Sequence, residues 1–267
     1  MTPPVAVTPE ALVRIADLAV AAGQAAMAHY HPGIEVELKG DRTPITAADR
    51  AAHAVIAGAL ASWDPSVPVV SEEGDIPGDA ERAAWGRFWL VDPLDGTKEF
   101  LSHNGEFTVN IALIEGRAPV LGAVYAPALD ELYYAGRGMG SWRRAGGGGT
   151  MRIVSHPPLP GHALRVVESR SHPSAELERF LRTELVAERI PVGSSLKFCR
   201  VAEGKADCYP RFGPTMEWDV AAGDCIFRYS SASLKPAFWH TSLIVPKIRR
   251  VRLYRSGPAR ITTSRAL

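Results

Sequence analysis

The densest chemistry in this chain lies in Phe88-Trp89-Leu90-Val91-Asp92-Pro93-Leu94-Asp95-Gly96-Thr97-Lys98-Glu99-Phe100. The apolar run Phe88 to Val91 has the length and composition of a buried strand. It delivers two carboxylates, Asp92 and Asp95, on either side of a proline. Pro93 keeps Asp92 out of the helical region, so the strand is expected to end there and the chain to turn. Gly96 follows, and Thr97 to Leu101 can open a short helix. Such a corner offers carboxylates to a cation and free backbone N–H groups to an anion. Carboxylates that share a corner repel one another, so a divalent metal is their natural occupant.

Other acids sit where elements start or stop. Val69-Val70-Ser71-Glu72-Glu73-Gly74 ends an apolar strand on carboxylates and by itself reads as a solvated loop. Asp49 precedes a helical pattern of Ala52, Val55, Ile56 and Leu60, and by itself is a first-turn acid that complements the helix dipole. Asp219, in Trp218-Asp219-Val220-Ala221-Ala222-Gly223, by itself is a helix cap. The combination is more specific than its members. Ile45-Thr46-x-x-Asp49, Glu72-Glu73, Asp92-Pro93-Leu94-Asp95-Gly96-Thr97 and the Trp218 motif together resemble, in order, the motifs of the inositol monophosphatase superfamily. Those proteins are lithium-sensitive, magnesium-dependent phosphatases.

The resemblance implies an α+β protein with the layered αβαβα sugar-phosphatase architecture. It implies that Glu72, Asp92 and the Leu94 carbonyl hold one magnesium ion, while Asp92, Asp95 and Asp219 hold another. All-oxygen ligation without His or Cys selects magnesium over zinc. Two or more such ions could activate a water and stabilise the leaving oxygen of an in-line displacement. Thr97, polarised by Asp49, and Glu72 are the catalytic candidates for orienting and deprotonating that water. Glu73 has a supporting role at most. The amides of Gly96 and Thr97 would hold the scissile phosphate, with Glu72, Leu94, Asp95 and Asp219 also at the substrate.

Within the superfamily, three stretches look most like the bacterial CysQ-type bisphosphate nucleotidases. They are Ser169 to Pro173, Gly193 to Cys199 and Tyr209 to Thr215. Those enzymes remove the 3′-phosphate of adenosine 3′,5′-bisphosphate, a by-product of sulfate activation, to give AMP. Recognising a second phosphate needs cations, for which Lys197 leads and Arg170 and Arg211 follow. His172 and Ser195 match positions that contact nucleotide. An inositol-phosphate or sugar-phosphate phosphatase using the same metal site is the competing enzymatic reading. A binding protein that has lost turnover is the competing non-enzymatic one.

Bulk properties set the frame. The chain has 267 residues, a formal charge of +1 and a 46% hydrophobic fraction. It suits one large domain or two closely packed halves. Residues 1–150 would carry the main metal motifs and residues 151–267 the substrate contacts. No apolar run approaches the roughly 20 residues that span a bilayer, and residues 1–5 lack the features of a secretory signal. Cys199, Cys208 and Cys225 form no Cys-x-x-Cys pair, which argues against structural zinc and fits a reducing cytoplasm. Net charge does not suggest a nucleic-acid binder. Gly146 to Gly149 lack the Lys-Ser/Thr ending of a P-loop and read as a hairpin or boundary loop.

The likeness is expected to stop after Asp224. Cys225 to Ser233 lack the small-residue helix and Gly-Gly turn that should follow. From there to Leu267 there is no Asp or Glu, while Lys235, Lys247, Arg249, Arg250, Arg252, Arg255, Arg260 and Arg265 accumulate. A basic tail can bind nucleic acid or anionic lipid, which would place the protein peripherally on the inner membrane. A changed reading frame or degenerated terminus is the plainer account and is preferred. Either way, the seating of Asp219 is in question.

Overall fold

Alternation along residues 87–95 sends Trp89 and Val91 into one apolar cluster and Phe88 and Leu90 into another. The strand therefore has protein on both faces. The computed structural model describes residues 5–38, 44–156, 158–159, 161–172, 174–212 and 215–230. The basic tail from 231 onward lies outside them, and with it the expectation of lipid contact.

In chain order the first elements are α1 (Pro9–Met27), β1 (Val36–Leu38), β2 (Pro44–Thr46), α2 (Ala47–Trp63) and β3 (Val69–Ser71). Then come α3 (Asp79–Ala83), β4 (Arg87–Asp95), α4 (Thr97–Leu101), β5 (Thr108–Glu115) and β6 (Ala118–Ala126). The series continues with β7 (Glu131–Gly136), β8 (Gly140–Ala145), β9 (Met151–Ile153) and β10 (Leu164–Ser169). It closes with α5 (Ala175–Thr183), β11 (Val186–Val192), α6 (Leu196–Ala202) and α7 (Glu217–Ser230).

A seven-stranded sheet runs in the order β3-β4-β5-β6-β7-β8-β9. Its first pair is parallel and the others are antiparallel. Helices α1 and α2 supply Ile15, Ala19, Ile56 and Leu60 to the cluster on one face. The other face is covered by Leu196 and Phe198 of α6 and by Trp218, Ala222 and Ile226 of α7. Beyond α6, β10 and β11 form a parallel pair, with α5 tied to β11 through Arg189 and Glu178. This is the layered α+β arrangement anticipated from the sequence. The glycine-rich stretch joins β8 to β9 as a hairpin. Among the described residues no helix is long and apolar enough to cross a membrane.

Two local expectations need correction. First, β4 does not end at Pro93. Pairing with β5 continues from Asp92↔Asn110 to Asp95↔Thr108 across an irregularity. Pro93 and Leu94 together face one partner residue, a bulge that the missing proline N–H makes easy. In a regular strand, residues three apart point to opposite faces. The extra residue brings Asp92 and Asp95 into the same cleft.

Second, the helix does not fail at Asp224. α7 runs on to Ser230, with Cys225, Ile226 and Ser230 buried. The larger Cys225 is accommodated because Gly122 of β6 lies opposite. A Cβ on Gly122 would stand 2.6 Å from Cys225 Cβ and 3.1 Å from the Ala222 carbonyl oxygen. Gly122→Ala would gain about 0.5–1 kcal/mol of strand preference. It would lose about 1–3 kcal/mol to overpacking against backbone and a Cβ that cannot swing away. The expected result is a net loss, with Tm lower by roughly 5 °C in thermal unfolding. An unchanged Tm would mean that α7 is not seated this closely.

Candidate metal centre and cleft

Each acid of the centre is delivered by a strand end or a helix start. Asp92 is 1% exposed and lies where β4 begins its bulge. Glu72 follows β3, its N–H bonded to the Val91 carbonyl at 3.1 Å. Asp219 sits in the first turn of α7, where its Oδ2 accepts from Thr215 Oγ1 at 2.7 Å and from the Met216 N–H at 3.0 Å. One carboxylate oxygen from each of Glu72, Asp92 and Asp219 lies within 4.8 Å of the others.

Asp95 stands beside this trio. Its Oδ2 accepts from Ser195 Oγ at 2.9 Å and from Asn110 Nδ2 at 3.4 Å. Burial, then the charges of Glu72, Asp95 and Asp219, push the Asp92 carboxyl well above the usual carboxylate range. Burial, then Asp219, pushes Asp95 up to about 6. Converging buried carboxylates with raised pKa values are what a bound cation would relieve. The donors are all hard oxygens, which suits magnesium or another hard divalent ion.

These acids open onto a cleft of about 330 Å³. Glu72, Asp92, Leu94, Asp95, Gly96, Thr97, His172, Lys197 and Asp219 line it. Gly96 adopts φ +92°, and a Cβ there would fall 2.1 Å from Ser194 Oγ. Only glycine permits that approach. Ser194 Oγ in turn donates to the Asp95 carbonyl at 2.7 Å.

Lys197 is 6% exposed, with Nζ 3.5 Å from the Val192 carbonyl oxygen and 5.7 Å from the Tyr209 ring centre. Burial lowers its pKa to about 8 against the pull of Asp95. His172 holds Nδ1 3.4 Å from Ser169 Oγ and Nε2 3.3 Å from Lys98 Nζ. Burial, then Lys98 and Arg211, lowers its pKa.

Some expected residues stand elsewhere. Asp49 does not line the cleft. Its Oδ2 accepts from the Thr46 N–H at 2.7 Å and hydroxyl at 2.6 Å, closing a capping box on α2. Among the described residues it makes no hydrogen bond with Thr97. Ser195 lies behind the wall, its Oγ 2.7 Å from the Asp219 carbonyl and 2.9 Å from Asp95 Oδ2. It thus braces two acids of the candidate centre. Arg170 is turned away, donating to both Glu106 carboxylate oxygens and to the Pro191 carbonyl. It clamps the loop that carries His172. Arg211 does line the cleft.

Several participants were not anticipated. Asn110 donates to Ser195 Oγ at 2.9 Å. Thr108 and Asn110 are alternate polar residues in an otherwise apolar strand, a signal that was present in the sequence. Glu99, read only as part of a short helix, is buried at the cleft and accepts from Ser171 Oγ.

The profile of the Inositol monophosphatase family matches residues 9–229. It therefore extends past Asp224, in agreement with the unbroken α7. The 3′(2′),5′-bisphosphate nucleotidase CysQ of Escherichia coli K12 is 49% identical over 219 residues, covering 80% of this chain and 86% of that protein. Its Salmonella typhimurium counterpart is 50% identical with the same coverage. Among solved structures, CysQ from Bacteroides thetaiotaomicron superposes with a TM-score of 0.69 at 42% identity, covering 81% of this chain and 85% of that one. An IMPase from Thermotoga maritima gives 0.66 at 26% identity, covering 81% and 82%.

Proposed function

The chain belongs to the inositol monophosphatase family, and on that premise we propose that it is a magnesium-dependent 3′(2′),5′-bisphosphate nucleotidase. It takes adenosine 3′,5′-bisphosphate to AMP and phosphate, and so removes a by-product of sulfate activation. One observation carries the substrate choice. The cleft that holds Glu72, Asp92 and Asp219 also holds Lys98, Lys197 and Arg211. A substrate with phosphate at one end only would leave this second, cationic group without a role.

Glu72, Asp92 and the Leu94 carbonyl would hold one magnesium ion, and Asp92, Asp95 and Asp219 would hold another. Bound magnesium polarises the phosphoryl oxygens and lowers the pKa of water. Gly96 and Thr97 present the scissile phosphate with backbone N–H groups, and Thr97 and Glu72 orient the attacking water. Asp49, whose carboxyl is pushed up mainly by burial, acts through the start of α2 and supports Thr97. Lys197 and Arg211 take the remote phosphate, and His172 flanks the nucleoside. The buried thiols Cys199, Cys208 and Cys225 fit a reducing cytoplasm.

The test is phosphate release from adenosine 3′,5′-bisphosphate with magnesium and with chelator. Release that is indifferent to chelation would contradict the reading. A pH profile adds a second check. Lys197 is charged below about pH 8 and neutral above it. The kcat/KM for the bisphosphate, which reports free-enzyme pKa values, is therefore expected to fall through that range. Lys197→Arg should remove this fall, because guanidinium stays charged. A fall that persists unchanged in the arginine variant would assign it to another group.

A further inference from the structure

Arg82 and Glu217 lie 135 residues apart and are nearly out of solvent, their side chains 6% and 14% exposed. Arg82 Nη2 stands 2.5 Å from one Glu217 carboxylate oxygen and 2.6 Å from the other. Glu217 is the first residue of α7, two positions before Asp219. Arg82 lies on α3, inside the connection from β3, which Glu72 follows, to β4, which carries Asp92. The ion pair thus joins the segment that spans two acids of the centre to the helix turn that supplies the third.

We propose that Arg82 is a positioning residue for the metal centre, pinning the first turn of α7 so that Asp219 stays within reach of Glu72 and Asp92. The inference rests on the reading of those three carboxylates as metal ligands. Other contacts hold Asp219 at two points: Thr215 and Met216 bond its Oδ2, and Ser195 Oγ bridges its backbone carbonyl to Asp95 Oδ2 at the end of β4. None of these reaches the β3–β4 connection on which Arg82 lies. Without a tie to that connection, repulsion among the converging acids would favour a small outward shift of the first turn of α7. A buried charge pair resists such a shift, because pulling the partners apart gives up their attraction without returning either charge to water. Neither Arg82 nor Glu217 lines the cleft, so both act through Asp219 and not on substrate.

The experiment is direct titration of full-length protein with Mn²⁺, following loss of the free-ion EPR signal, alongside thermal unfolding. Arg82→Met and Glu217→Gln are compared with wild type, with Asp92→Asn as the control for the ligand set. Residues that orient metal ligands typically cost roughly 10- to 100-fold in metal affinity when changed. Each single variant is expected to bind Mn²⁺ about tenfold more weakly while still folded at the assay temperature. Because the two residues act as a unit, the double variant should bind no more weakly than the worse single one.

Should Arg82→Met not fold, the nearly isosteric Glu217→Gln decides alone. A folded Glu217→Gln protein with Mn²⁺ affinity within about twofold of wild type overturns the proposal, whatever happens to its Tm. Wild-type affinity in Asp92→Asn would instead sink the metal reading, and this inference with it.

Discussion

Asp92→Asn is expected to lower phosphate release from adenosine 3′,5′-bisphosphate by at least about 10³-fold in saturating magnesium. Metal stabilisation of a phosphoryl transition state contributes several kcal/mol, and each 1.36 kcal/mol is tenfold in rate. Asp92 is the ligand common to both proposed ion sites and the most buried of the acids at the centre. The same change has an opposite effect on the empty protein. A carboxyl whose folded pKa is raised by burial and by like charges destabilises the fold when ionised. Amide replacement removes that penalty at neutral pH. Metal-free Asp92→Asn should therefore unfold at a higher temperature than metal-free wild type, and magnesium should raise Tm in wild type only. A variant that is inactive but still gains stability from magnesium would place the ion elsewhere.

The second large effect concerns substrate choice. Lys197→Met should raise KM for adenosine 3′,5′-bisphosphate by about 10- to 100-fold, the range for losing one charge-assisted hydrogen bond of ~1.5–3 kcal/mol. Turnover of an ester with one phosphate should change far less, because only the remote phosphate meets this ammonium. Thermal stability should not fall. The ammonium is buried against Tyr209, and its lowered pKa reports that burial disfavours the charge. Methionine keeps the stem and its packing without that cost. Equal losses on both substrates would show that Lys197 serves the scissile phosphate or the fold.

Much of the centre was legible because its acids are encoded in short strings. Asp92, Asp95, Glu72 and Asp219 each occupy an element end, where a few neighbouring residues fix the backbone. The bulge after Asp92 was not read, since a proline after a strand suggests a stop as readily as an extra residue. Strand β11 escaped notice because Glu188, Arg189 and Pro191 interrupt any alternation on its exposed face. Ser195 and Arg170 stand apart from the cleft lining for a different reason. Their side chains are claimed by Asp219, Asp95 and Glu106, partners that only the folded chain brings near. The Arg82–Glu217 pair has no local signature at all. The end of α7 was underestimated because the space for Cys225 comes from Gly122 on a distant strand.

The most direct test of the central claim is a ratio of kcat/KM values, for adenosine 3′,5′-bisphosphate over inositol monophosphate, measured on one preparation in magnesium. Recognition of a second phosphate by the cations of the cleft predicts a ratio of at least about 10², in line with one or two charge-assisted contacts. A ratio near or below one would contradict the account. It would leave the metal centre in place but make the cationic end of the cleft irrelevant to substrate choice.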